Sequence, residues 1–275
     1  MIAGKNNVGK TAFLEAIGLL FSGSHPNGIA YITNLRGLAS ETADTLQSEL
    51  IFNSLFNTSS QEQDITVKAM IDSRQHCLTI RPSTVESTTI DLPSDQENAL
   101  AFSKSQQYIA LNLSYKPPEQ DASVNTLRIQ ANKLTQTLKK TTSPSANLSF
   151  VSSQFRLNRR QKAEMLGEIE LSGEKSSLIK DLQIIEPRLS QITTIVIGGM
   201  PILYGNIGLD KMIPIAAMGE GLNKLVSILL TLSAKCRDGI LLVDEIENGF
   251  HHSVLQNIWR IIDSASRRFN TQAIV

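Results

Sequence analysis

Eight residues near the start of the chain, Gly4-Lys5-Asn6-Asn7-Val8-Gly9-Lys10-Thr11, restrict its possible folds more than any other feature. The spacing Gly-x-x-x-x-Gly-Lys-Thr lets a glycine-rich turn wrap backbone N–H groups around a phosphate. The lysine then reaches the β/γ oxygens and the threonine hydroxyl holds Mg²⁺. Such a loop ordinarily follows a buried strand, yet only Met1, Ile2 and Ala3 precede Gly4. Most of that strand is missing, so the chain is expected to be a fragment or a product with a shortened N-terminus.

The residues after the loop agree with it. Lys10 to Ser22 reads as a helix with Phe13, Ile17, Leu20 and Phe21 forming an apolar stripe, and Gly23 suits a C-terminal cap. A helix beginning there aims its positive dipole end and unpaired N–H groups at the phosphates.

With 275 residues the chain can bury a sizeable core, as one large domain or one domain with an inserted lobe. No apolar run approaches the roughly 18 to 20 residues that would span a bilayer, and no signal-peptide pattern opens the chain, so it reads as cytoplasmic. Cys77 and Cys236 lack metal-type spacing and read as reduced thiols. A formal net charge of +0 gives no general electrostatic case for nucleic-acid binding, although it leaves room for a local basic patch.

Beyond the first helix, residues 22–36 are rich in Gly, Pro and Asn and read as loop, followed by a helix from Ala43 to Leu55. Ile65 to Ile71, Cys77 to Ile80 and Tyr108 to Leu113 read as antiparallel strands of a meander with one wetted face. Leu134 to Asn147 is polar and reads as loop or frayed helix. A short strand over Ser149–Ser152 and a charged helix over Gln154–Leu171 follow, then a helix over Ser176–Ile185. Thr193–Ile197 and Pro201–Tyr204 form a hairpin across Gly198-Gly199. The last sixty residues alternate helix and strand: a helix carrying Leu222, Leu225, Val226, Leu229 and Leu232, a buried parallel strand Ile240–Val243, and a helix carrying Val254, Ile258, Trp259, Ile261, Ile262 and Ala265. Gln272–Val275 begins a further strand, so both ends read as cut through sheet.

A phosphate loop needs a partner that orders Mg²⁺ and activates water. Ile240-Leu241-Leu242-Val243-Asp244-Glu245 supplies both from one strand end: Asp244 is placed to hold the ion's shell beside Thr11, and Glu245 to orient or deprotonate the attacking water. The long interval between the two motifs argues for a head interrupted by a large insertion. The Asn-Lys-x-Asp that reads guanine is absent, since Asn132-Lys133 continues as Leu134-Thr135 and Asn223-Lys224 as Leu225-Val226. Ahead of Asp244, Met218-Gly219-Glu220-Gly221 opens the Leu222 helix, and glycines at a helix start let amides approach a phosphate.

Together, Gly4 to Thr11, Met218 to Gly221 and Leu242 to His251 resemble the AAA-15/AAA-21 group of ABC-like ATPases, relatives of the heads of OLD-family nucleases, RecF and structural-maintenance-of-chromosomes proteins. The likeness extends through most of the chain, including Arg36-Gly37 and Pro214, but only the three motifs are specific. It implies an α/β P-loop NTPase of ABC-head type, a mixed sheet with an antiparallel β subdomain and a helical insertion. It implies a single head over residues 1–275: a P-loop half (1–56), a meander and helical insertion (57–205), and a signature and Walker B half (206–275). ATP and Mg²⁺ are the implied cofactors. Gly4, Asn6, Asn7, Val8, Gly9, Lys10, Thr11, Gly219 and Gly221 are the implied nucleotide contacts, Thr11 and Asp244 the metal ligands, and Glu245 and Lys10 the catalytic pair. Pairing of two heads on ATP follows from the family, as do frequent roles in DNA repair or phage defence, with DNA or a nuclease as possible partner.

Some positions depart from the pattern. Gly219 stands where many relatives carry serine, so a contact to a partner's γ-phosphate would come from backbone amides alone. His251 matches the histidine that follows Asp-Glu in relatives. As adjacent side chains on a helix or strand diverge, His251-His252 does not read as a metal pair. Gln154 is a candidate for the glutamine that senses Mg²⁺ and water. The family's switch histidine would lie past Val275, and no nuclease motif is legible. Three readings therefore stand: an ATP hydrolase, an ATP-gated clamp with slow or no hydrolysis, and a remnant unable to bind nucleotide.

Overall fold

A computed structural model describes residues 9–36, 55–56, 63–89, 104–130, 133–137, 141–144, 146–151 and 157–275. Contacts divide the chain into two compact units, Met1–Leu14 with Ser145–Val275, and Glu15–Pro144. The expected helix over Ala43–Leu55, apart from Leu55, falls outside the described residues, as does Gln154.

In the first unit, β6 (Leu148–Val151), β10 (Ile240–Val243) and β11 (Gln272–Ile274) make a parallel sheet in the order β11-β10-β6. Its middle strand is the run Ile-Leu-Leu-Val, whose side chains are apolar on both faces because both faces are covered. Ile240 is in register with Leu148 and with Gln272. The ladder continues one step past β10, where the Asp244 N–H donates to the Val151 carbonyl at 2.9 Å. The strand end that carries the acids is therefore held by the sheet itself.

Around that sheet lie α5 (Glu220–Lys235) and α6 (His252–Arg268). On α5, Leu222, Leu225, Val226, Leu229 and Leu232 are all buried, as the 3.6-residue period requires, and Ile228 and Leu230 join them in one core with Leu241, Val243, Ile258, Ile261 and Ile262. Each such leucine or isoleucine contributes roughly 1.5–3 kcal/mol. The same core takes in Met165, Leu166 and Ile169 of α3 (Arg159–Leu171) and Leu178 and Leu182 of α4 (Lys175–Gln183). Helix α3 starts one turn inside the charged passage from Gln154, at a capping box: the Asn158 side chain accepts from the Gln161 N–H, and the Gln161 side chain accepts from the Asn158 N–H, each at 2.9 Å. Strands β7 (Gln191–Ile197), β8 (Met200–Asn206) and β9 (Ile213–Pro214) form a separate antiparallel sheet, with β7 and β8 joined through Gly198-Gly199 as expected.

The second unit holds a five-stranded antiparallel meander in sequential order: β1 (Ile65–Ile71), β2 (Arg74–Thr89), β3 (Lys104–Lys116), β4 (Ser123–Gln130) and β5 (Lys133–Thr137). Leu78, Ile80, Leu111, Leu113, Tyr115 and Leu127 are buried, while β1 alternates between half-buried and exposed along its length. Beneath it the buried Asn125 amide donates to both the carbonyl and the hydroxyl of Ser24 at 3.1 Å, fixing the turn after the first helix.

Three expectations need correction. Residues 22–36 are not loop throughout, since α2 spans Asn27–Leu35 and buries Ile29, Ile32 and Thr33 at helical spacing. Lys133–Thr137 is a strand, β5, held by backbone pairing to β4 rather than by apolar pattern. Helix α1 has the expected limits, Lys10–Ser22, but its buried stripe is Leu14, Glu15, Gly18, Leu19 and Leu20, and Phe13 is 55% exposed. A carboxylate fits in that stripe because Arg36 meets it in a two-pronged ion pair: Nε donates to Glu15 Oε1 at 2.7 Å and Nη2 to Oε2 at 2.5 Å.

Cys77 is half-buried and Cys236 buried, both as free thiols. Among the described residues no helix is long and apolar enough to cross a membrane.

Candidate phosphate and carboxylate site

Helix α1 begins at Lys10, and the carbonyl of Gly9 accepts its first helical bond, from the Phe13 N–H at 3.0 Å. Gly9 has φ +88°, open to glycine and strained for other residues. Gly9 thus turns the chain directly into a helix start. Gly4, Asn6, Asn7 and Val8 lie outside the described residues. Lys10 and Thr11 stand in the first turn of α1, Thr11 on the exposed side.

The hydroxyl of Thr11 donates to Asp244 Oδ2 at 2.7 Å. Two motifs separated by most of the chain thus meet within one unit, brought together by the helix that follows the loop and the strand end beyond β10. Among the described residues no group of three or more His, Cys, Asp or Glu is arranged to hold a metal. The oxygen pair at Thr11 and Asp244 is the kind of partial site that Mg²⁺ uses, one or two protein ligands with water and phosphate supplying the rest.

Glu245 follows Asp244 in the left-handed region, φ +50°, with its side chain exposed. Asn248 Nδ2 donates to Glu245 Oε2 at 2.9 Å, and the Asn248 N–H donates to the Glu245 carbonyl at 3.1 Å, closing a turn. Asp244 and Glu245, although adjacent, therefore meet different partners, Thr11 for Asp244 and Asn248 for Glu245.

Gly219 and Gly221 sit at the N-terminus of α5 but differ in what they supply. Gly219 is the N-cap, with φ +115° and ψ 152°, a conformation essentially confined to glycine, and no side chain caps the helix there. A Cβ at Gly219 would meet nothing within 4 Å, so this end of α5 opens outward. At Gly221 a Cβ would lie 2.9 Å from the Gly249 carbonyl oxygen and 3.0 Å from Phe250 Cδ1. Its missing side chain is what lets α5 press against the loop that follows Glu245.

His251 is the N-cap of α6, its Nδ1 accepting weakly from the Ser253 N–H at 3.4 Å and paired with the Ser253 hydroxyl at 2.8 Å. The neighbouring His252 ring lies 4.1 Å away, tilted by 42°.

Sequence reasoning missed Lys224 and Asn248. Lys224 projects from α5 to the carbonyls of the acidic loop, and burial pushes its ammonium below the usual lysine range while Glu247, Glu245, Glu220 and Asp244 pull it back up. The available signal was a lysine one turn past a helix-opening glycine pair, legible only once α5 was known to touch the loop. Asn248 gave no signal of its own, because a turn asparagine is common without any catalytic role.

A family model described as "AAA domain, putative AbiEii toxin, Type IV TA system" matches residues 1–275. No curated protein matches the chain.

Proposed function

Because the chain belongs to the AAA-domain family whose model spans residues 1–275, a family of nucleotide-binding P-loop ATPases, we propose that it binds ATP with Mg²⁺ and hydrolyses the γ-phosphate. The observation that most directly supports this is the 2.7 Å contact between Thr11 and Asp244, which joins the loop and the acidic strand end at one point. The amides of Asn7 to Lys10 would cradle the phosphates, and Lys10 would neutralise charge on the β/γ oxygens. Thr11 and Asp244 are hard oxygen donors suited to Mg²⁺, and the ion, when bound, offsets the charge of the transferring group. Glu245 accepts a hydrogen bond from water and holds it for attack, with Asn248 steadying the carboxylate.

The outward-facing N-terminus of α5 at Gly219, with Gly221 behind it, supports a further reading of ABC-head type: two copies pair on ATP, each offering these amides to the γ-phosphate held by the other. The family's description names a "putative AbiEii toxin" of a type IV toxin–antitoxin system; a role for this head in phage defence or in DNA repair is proposed on the resemblance alone. DNA or a nuclease would be its partner. An ATP-gated clamp is the second reading, favoured by Gly219 in place of serine.

Isothermal titration with MgATP, followed by phosphate-release kinetics, tests the proposal. Wild type is expected to show Mg²⁺-dependent heat and steady turnover, and Lys10→Ala neither. Absence of any heat with wild type would overturn nucleotide binding, whereas heat without turnover would leave the clamp.

A further inference from the structure

Lys224 carries three N–H donors, and three main-chain carbonyls converge on it: Glu245 at 2.7 Å, Asn248 at 2.8 Å and Ile246 at 3.3 Å. None of the three belongs to a carboxylate, although four acidic side chains surround the ammonium closely enough to act on it. The lysine thus spends its directional bonds on the backbone of one turn, while the acids supply diffuse attraction. That turn is the one that bends Glu245 into φ +50°, a conformation a non-glycine residue keeps only when its surroundings impose it. The Lys224 ammonium also lies 5.7 Å from the centre of the Phe250 ring, so both ends of the loop between Asp244 and His251 are referred to one side chain of α5.

We infer that Lys224 is a positioning residue: it latches the Glu245–Asn248 turn to α5 and so sets where the Glu245 carboxylate stands relative to the phosphate loop. This inference rests on the hydrolytic role proposed for Glu245, but the latch itself is a statement about the nucleotide-free protein. It adds a link between the two ends of the site. Lys224 lies one turn along α5 from Gly221, so a displacement of that helix end is carried by three hydrogen bonds to the backbone of Glu245, and contact of a second head at Gly219 would be felt there.

The test uses the whole chain with Lys224→Met, which keeps the length of the stem and removes the donors, and Lys224→Arg, which restores charge and several N–H groups. Hydrogen exchange in the absence of nucleotide reads the latch. Lys224→Met is expected to speed exchange across residues 246–250 by about tenfold or more, with β10 and the middle of α5 as in wild type, and Lys224→Arg to recover most of the protection. Kinetics read the consequence: Lys224→Met lowers kcat by about tenfold or more with KM and MgATP affinity within about twofold of wild type, the mark of a lost transition-state arrangement. Should Lys224→Met fail to fold, Lys224→Gln is read in the same way.

Unchanged exchange over 246–250 would overturn the latch. A parallel loss of kcat and MgATP affinity, with faster exchange throughout the unit, would overturn it equally, because it would mark general loosening. Absence of turnover in wild type would count against the hydrolysis reading alone, and the exchange comparison would still decide for or against the latch.

Discussion

Glu245 holds a backbone conformation that costs a non-glycine residue roughly 1–3 kcal/mol, and its turn is tied by Asn248 within the loop and by Lys224 from α5. Strain kept in place by hydrogen bonds at the tip of an acidic strand is expected where a carboxylate must be aimed rather than merely exposed. Its counterpart in the other unit is Tyr115, which is 0% exposed, with its hydroxyl 2.6 Å from His76 Nδ1. Burial pushes the Tyr115 phenol up to about 12, against about 10 for a tyrosine in an unfolded chain. The folded state therefore favours the neutral phenol. The stability this contributes is full below about pH 10 and is lost as pH rises towards about 12, where the unfolded chain ionises first. We predict that the urea midpoint of wild type falls more steeply between pH 10 and 12 than that of Tyr115→Phe. Parallel midpoints across that range would show that Tyr115 does not titrate late.

At the scale of elements, the structure separates what local pattern encodes from what only packing decides. Strand β10 and helix α1 were legible to the residue, because a four-residue apolar run needs both faces covered and because Gly9-Lys10-Thr11 marks a helix start. Helix α2 was not legible: Asn27, Gly28 and Asn34 argue for loop, and burial of Ile29 and Ile32 overrides them. Strand β5 was hidden for the opposite reason, since Lys-Leu-Thr-Gln-Thr carries little apolar alternation and depends on pairing with β4. In the site, Thr11, Asp244 and Glu245 were legible as types at spacings, whereas Lys224 required knowledge of which loop α5 touches. That contact yields a prediction. Alanine at Gly221 would place a methyl group 2.9 Å from the Gly249 oxygen, a main-chain atom that cannot swing aside. Gly221→Ala should destabilise the protein by roughly 1–3 kcal/mol in chemical denaturation and slow turnover by parting α5 from the loop. A variant as stable and as active as wild type would show that α5 does not need this close approach to Gly249.

At the scale of the molecule, the proposal that two heads pair on ATP makes the lifetime of the nucleotide the clock of assembly. Lys and Arg number 26 and Asp and Glu 26, so two copies meet without net repulsion, and what decides pairing is local: amides near Gly219 on one copy and a γ-phosphate on the other. Glu245→Gln keeps a side-chain oxygen for Asn248 to bind and removes the carboxylate that would polarise water, so it should fold and bind as wild type does while hydrolysing at least about a hundredfold more slowly. With MgATP, light scattering coupled to size exclusion should then move this variant from 30.2 kDa towards twice that mass, and Lys10→Ala should stay at the monomer value in the same buffer. Wild type should pair only transiently, its dimer fraction falling as phosphate is released. A wild type that pairs as durably as Glu245→Gln, with no phosphate released, would identify the clamp instead. A Glu245→Gln protein that binds MgATP yet stays monomeric at every concentration would remove head pairing while leaving the Thr11–Asp244 site intact.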